Sequence, residues 1–129
     1  MGEQTLATFQ LKTLSLVKSF FTIGEMSDSP IEKEVFNVHT SHSKQENDIG
    51  VLVEVHIEVP APSLKINAAY EGIFTTSNSS EEETEHFAKV NGPAIIFPSL
   101  RYHIRHITLE AGLPPLILPL INFTKIRND

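Results

Sequence analysis

Apolar and polar positions alternate along much of the first half of the chain. From Val51 to Val59 the side chains Val51, Val53, Val55, Ile57 and Val59 fall on one face, and Leu52, Glu54, His56 and Glu58 on the other. Strict period two in β-branched residues is the pattern of a half-buried antiparallel strand. Pro60-Ala61-Pro62 stops it, and Leu64, Ile66, Ala68 and Tyr70 resume the alternation on a further strand that ends near Phe74. Upstream, Phe9, Leu11, Thr13 and Ser15 alternate with Gln10, Lys12, Leu14 and Leu16, after which Val17, Phe20, Phe21 and Ile23 fall on both faces. That change of phase predicts a bulge, a bend, or a strand buried on two sides. Gly24 to Pro30 reads as a loop, and Val35 to about Ser43 as a second strand. With short connections, a meander of sequential neighbours is the simplest topology for the four strands.

The period then changes. Ser80 and Glu83 fit a capping box, and the carboxylates of Glu81, Glu82 and Glu83 sit where a helix dipole favours them. A short helix to about Val90 is expected, closed by Asn91-Gly92-Pro93, followed by a longer one from about Ala94 to Ala111. Ile96, Leu100, Ile104, Ile107 and Ala111 line one face of the longer helix at spacings of three and four. Pro98 lies in its first turn or kinks it, and Gly112 sits where a C-terminal cap belongs. The reading is α+β: a four-stranded antiparallel sheet followed by a short and a long helix, in one domain spanning 1–129.

Residues 113–123 are almost wholly apolar, yet Pro114, Pro115 and Pro119 forbid a regular helix or a central strand. Such an extended segment has to lie on something, either its own core or a partner. Sixteen acidic against ten basic side chains give a net charge of −6. This balance counts against gripping nucleic-acid phosphates or an anionic membrane surface. No stretch approaches the length of a membrane span, and the N-terminus lacks the basic start and apolar block of a secretory signal, so a cytoplasmic protein is expected. The absence of cysteine excludes disulfides and thiolate chemistry.

Gly72-Ile73-Phe74, a short acidic helix, Ile95-Ile96-Phe97-Pro98, the long helix, and Leu113-Pro114-x-Leu116-x-Leu118-x-x-Ile121-Asn122-Phe123 follow one another in an order and spacing that resembles the SecB family of bacterial protein-export chaperones. The resemblance covers about residues 51 to 123, and the strand from Phe9 is compatible with it. It implies a homotetramer, a dimer of dimers, with long helices packed between two sheets. It also implies a holdase that works without ATP or any cofactor, keeping unfolded proteins or preproteins competent for export by the Sec pathway. The alternative is a SecB-like module dedicated to one partner, such as an antitoxin. The family pattern continues past Asn-Phe into a second long helix and an acidic tail that help bind the SecA motor. Thr124 to Asp129 cannot form that helix, so client holding is expected more firmly than motor coupling. Family members usually carry Phe where Leu113 stands and a proline where Leu120 stands.

The candidate client-binding residues are Ile73, Phe74, Phe97, Leu113, Leu116, Leu118, Ile121 and Phe123; the candidate subunit contacts are Leu100, Ile104 and Ile107. A holdase needs apolar surface that stays reachable after folding, and the chain has more apolar segments than one small sheet and helix easily cover. Other chemistry is thin. His103, His106 and Glu110, at i, i+3 and i+7, could form half a metal site but read better as the polar flank of an amphipathic helix. His39 and His42 should point to opposite faces of a strand. Arg101 and Arg105 repeat on one helical face, either as an anion site or, as expected, solvated or paired with acids. No nucleophile elbow, glycine-rich phosphate loop or cleft-spanning carboxylate pair is present. No catalysis, metal or nucleic acid is expected.

Overall fold

The computed structural model describes residues 6–24, 33–61 and 63–125. Four antiparallel strands, β1 (Thr8–Ile23), β2 (Val35–Gln45), β3 (Asp48–Pro60) and β4 (Ser63–Ser77), form one sheet. Helical turns cover one of its faces. α1 (Glu81–His86) runs through a π-helical turn (Phe87–Asn91) into α2 (Gly92–Glu110). The strand order is β1-β4-β3-β2, a Greek-key order rather than the expected meander. β2, β3 and β4 are joined by tight turns, one of them at Glu46-Asn47 with Glu46 at φ 57°. The connection from β1 to β2 spans residues 24–34, longer than a hairpin turn, so β1 is free to pair with β4 instead.

Two register shifts in the β1–β4 pairing leave Lys12 and Val17 as extra residues. The predicted phase change is therefore two bulges, the first earlier than the alternation suggested. Each bulge keeps two successive residues on one face. As a result Leu11, Leu14, Leu16, Ser19 and Phe21 oppose Phe74, Gly72, Tyr70, Ala68 and Ile66, all on the helix-bearing face. On the other face Lys18 reaches over the small, buried Ala69 to Glu54 at 2.9 Å.

The core lies between β3, β4 and α2. Ile49, Val51, Val53 and Val55 are wholly buried, as are Ile66, Ile96, Leu100 and Ile104. At ~1.5–3 kcal/mol for each large side chain this layer dominates the stabilisation. Phe87 locks the helical start down, stacking on Phe9 at 4.1 Å between centroids and meeting Phe74 edge-on at 4.9 Å.

The capping box at Ser80 is present: the Glu83 N–H donates to Ser80 Oγ, and the Ser80 N–H to Glu83 Oε1, both at 3.1 Å. Asn91-Gly92-Pro93 does not close the helix. Gly92 is helical (φ −58°, ψ −53°), and its N–H donates five residues back to the Phe87 carbonyl. The wider π turn makes room for Pro93, which can neither donate a hydrogen bond nor tolerate a close carbonyl four residues earlier. Gly92 serves close approach instead. A Cβ there would stand 3.1 Å from Val51 Cγ2 and 3.3 Å from the Phe87 carbonyl. The far end of α2 matches expectation. Gly112, at φ 77°, follows the cap, with Leu113 N–H bonded to the Thr108 carbonyl and Gly112 N–H to that of Leu109.

Candidate functional site

The tail after α2 has no regular structure. It turns back along the helix and lies over the core at the β2 side. Its anchor is Thr108, a wholly buried hydroxyl. Thr108 Oγ1 lies 3.0 Å and 2.9 Å from the carbonyls of Ile104 and Arg105, to which it can donate, and it accepts the Leu116 N–H at 3.2 Å. Further along, Phe123 meets Phe97 edge-on at 5.7 Å. Between these points Leu118 and Phe123 are only 3% and 6% exposed, while the intervening Ile117 and Leu120 stand out at 70% and 85%.

Burial places the candidate residues. Phe74, Phe97, Leu118 and Phe123 belong to the core; Leu113, Leu116 and Ile121 pack half-buried against it; Ile73 is half-buried on the opposite sheet face. Leu100 and Ile104 are fully covered by the sheet of the same chain, and Ile107 is half-buried. Leu100 and Ile104 therefore have no surface to offer a second subunit. The helical face that does is the opposite one, carrying Ile95, Tyr102 and Leu109. The reason is geometric: one apolar stripe on α2 suffices for one sheet, and this chain supplies that sheet itself.

The uncovered apolar surface lies elsewhere. α2 crosses β4 and β3 and leaves the edge strand β1 partly bare. Leu11, Leu14 and Leu16 lie on the core side of β1 yet are 40%, 38% and 42% exposed. Beside them runs a groove of about 700 Å³, bounded by Phe9 on β1, by Glu82, Glu83, His86 and Phe87, and by Ile95 on α2. On the other side of the molecule a groove of about 330 Å³ separates Val35 and Phe36 from Ile117 and Pro119 of the tail. Each is apolar along its floor and open at its rim. A third hollow, of about 190 Å³, lies between Arg101, Tyr102 and Arg105 on α2 and residues 116–118. From the residues alone the tail could serve as core or as groove; the structure buries Leu118 and Phe123 and leaves Ile117 and Leu120 outside.

The histidines do not converge. His103 Nε2 lies 2.8 Å from Ser19 Oγ on β1, and His106 pairs with Glu110 at 3.2 Å. Burial, helped by the nearby His106, holds the His103 pKa below its ordinary value. Among the described residues no three His, Asp or Glu side chains could share a metal ion, and no helix is long and apolar enough to cross a membrane. His39 opposes Glu54 and His42 opposes Val51, so the two histidines do face opposite sides of β2.

Comparison with known proteins bears on what this surface is for. The family model described as preprotein translocase subunit SecB matches residues 12–128. A protein-export protein SecB from Magnetococcus marinus is 30% identical over 99 residues, covering 73% of this chain and 63% of that one. Another from Orientia tsutsugamushi is 28% identical over 116 residues, covering 88% and 71%. The chain thus spans under two-thirds of the first relative's length. Among solved structures, a SecB-like chaperone of Mycobacterium tuberculosis, in complex with a peptide from an antitoxin, superposes with a TM-score of 0.70 at 16% identity, over 88% of this chain and 90% of that one. A Streptococcus agalactiae protein of unknown function reaches 0.55 at 11% identity, over 90% and 100%. These structural likenesses concern the fold: an antiparallel four-stranded sheet with a long helix on one face. Since the family match runs from β1 through the tail, the chain belongs to the SecB family.

Proposed function

We propose that the protein is a chaperone that holds nonnative polypeptides on its uncovered apolar strips, without ATP and without a cofactor. The observation that carries this reading is the row Leu11, Leu14, Leu16 on an edge strand, beside a groove floored by Phe9, Phe87 and Ile95. An exposed edge offers backbone donors and acceptors to an extended chain, and neighbouring apolar pockets take its alternate side chains. Leaving such surface in water is unfavourable, so a second subunit and clients share the work of covering it. The assembly is a homotetramer, a dimer of dimers, using the outward face of α2. The whole chain acts as one domain in the cytoplasm, and its clients include unfolded preproteins bound for the Sec pathway.

A second reading, a module serving one dedicated partner, is favoured by the fold shared with the chaperone that carries an antitoxin peptide. The two separate in one assay. Several unrelated denatured proteins are diluted into buffer with stoichiometric amounts of this protein and no nucleotide, while light scattering is followed. Suppressed aggregation of all of them supports general holding; protection of a single partner alone supports the dedicated module. Failure with every substrate and partner overturns both.

A further inference from the structure

The hollow beside Arg101 and Arg105 differs in charge from the rest of the surface. Both guanidiniums stand one helical turn apart on α2, with Tyr102 between them in sequence and 73% exposed. Four lysines of this acidic chain, Lys12, Lys18, Lys65 and Lys89, each have a carboxylate within 4 Å. Neither Arg101 nor Arg105 has an ion pair with a described residue, although carboxylates outnumber cations sixteen to ten. Two side chains suited to forked, bidentate recognition of a carboxylate are thus left open next to an apolar wall.

That wall is the tail, and its backbone is open too. The N–H groups of Ile117, Leu118, Leu120 and Ile121 donate to no described acceptor. Leu116, bonded to Thr108, is where the tail's backbone hydrogen bonding to the helix stops. An extended backbone with free donors and acceptors is a template for a second extended strand, broken here only at Pro119, which has no N–H. The groove by Phe36 and the hollow by Tyr102 flank Ile117 on its two sides, so side chains of such a strand find space on both.

We infer that the tail pairs with an extended apolar polypeptide segment whose acidic side chain is clamped by Arg101 and Arg105. This deepens the holding function proposed above and rests on it. It gives the surface two grooves of opposite charge: the one at Glu82 and Glu83 is acid-rimmed, the one at Arg101 and Arg105 base-rimmed. Together they admit segments of either charge, which a uniformly acidic holdase would repel at one end of its range.

The test uses the full chain and three fluorescent peptides that share one extended apolar sequence and differ at a single position, Glu, Gln or Lys. Anisotropy titrations at low and high salt give their affinities. In the wild type the Glu peptide binds about fivefold or more tighter than the Gln peptide, and the advantage shrinks at high salt. In Arg101→Gln/Arg105→Gln that advantage disappears while the Gln peptide binds as before; Arg101→Lys/Arg105→Lys keeps part of it. Circular dichroism confirms that each variant is folded, as expected for exposed and half-buried positions. Equal binding of Glu and Gln peptides by the wild type, or an undiminished preference in the double Gln variant, overturns the inference. If no peptide binds while aggregation suppression persists, the inference falls and general holding stands. If both fail, the holding function falls with it.

Discussion

Leu116 donates its backbone N–H to the hydroxyl of Thr108, a contact that starts the tail on its path over the core, where Leu118 and Phe123 are buried. Thr108 is wholly buried, so water does not compete for its hydroxyl. Thr108→Val keeps the shape and removes the acceptor, leaving a half-buried donor unmatched. A loss of about 1–2 kcal/mol is expected in urea unfolding, together with faster amide exchange at Leu116.

The two sides of the tail separate folding from binding. Leu118→Asp and Phe123→Asp place a charge in the core and are expected to unfold the tail or the subunit, costing several kcal/mol and lowering the melting temperature steeply. Ile117→Asp and Leu120→Asp alter exposed positions. They should leave stability within about 0.5 kcal/mol while weakening the holding of denatured proteins. Thermal melts and light scattering on the same four variants check both halves.

Gly72 sits in mid-strand under the helix. A Cβ there would come within 2.9 Å of Ile96 Cδ1 and 3.1 Å of Phe74 Cε2. Gly72→Ala therefore overpacks the helix–sheet contact and should destabilise by about 1–3 kcal/mol. Pairing it with Ile96→Val should recover part of the loss, a coupling that a double-mutant cycle reads directly.

His103 joins α2 to the edge strand through Ser19. Its pKa is held below the ordinary 6.5 by burial first and by His106 second. As pH falls through that ordinary value the unfolded chain takes up the proton before the folded one does. Stability is therefore full above about pH 6.5 and declines as pH drops toward the lower folded value. Denaturation midpoints measured across this range should fall in the wild type and fall less in His103→Gln.

Much of this architecture was legible in the residues. The alternation Val51 to Ile57 gave β3 and its buried face, Ser80 and Glu83 gave the start of α1, and Gly112 gave the end of α2. Pairing was harder, because the neighbour of β1 depends on how the chain between residues 24 and 34 travels, which no local pattern encodes. Gly92-Pro93 read as a stop since those residues usually are one; here glycine lets the helix press on Val51 and a π turn absorbs the proline. Leu100 and Ile104 are apolar for the sheet of their own chain, and an amphipathic stripe looks the same whichever partner it faces. Arg101 and Arg105 were expected to be solvated or acid-paired, and only their three-dimensional setting beside the tail distinguishes them from ordinary surface arginines.

The central claim is that nonnative chains lie on β1 and along the outside of the tail. Hydrogen–deuterium exchange of the protein, with and without a permanently unfolded client, tests it most directly. The account predicts slowed exchange from Leu11 to Leu16 and from Ile117 to Ile121 when the client is present, with the buried strand β3 unchanged. Unaltered exchange at both segments, under conditions where the client is bound, would contradict it.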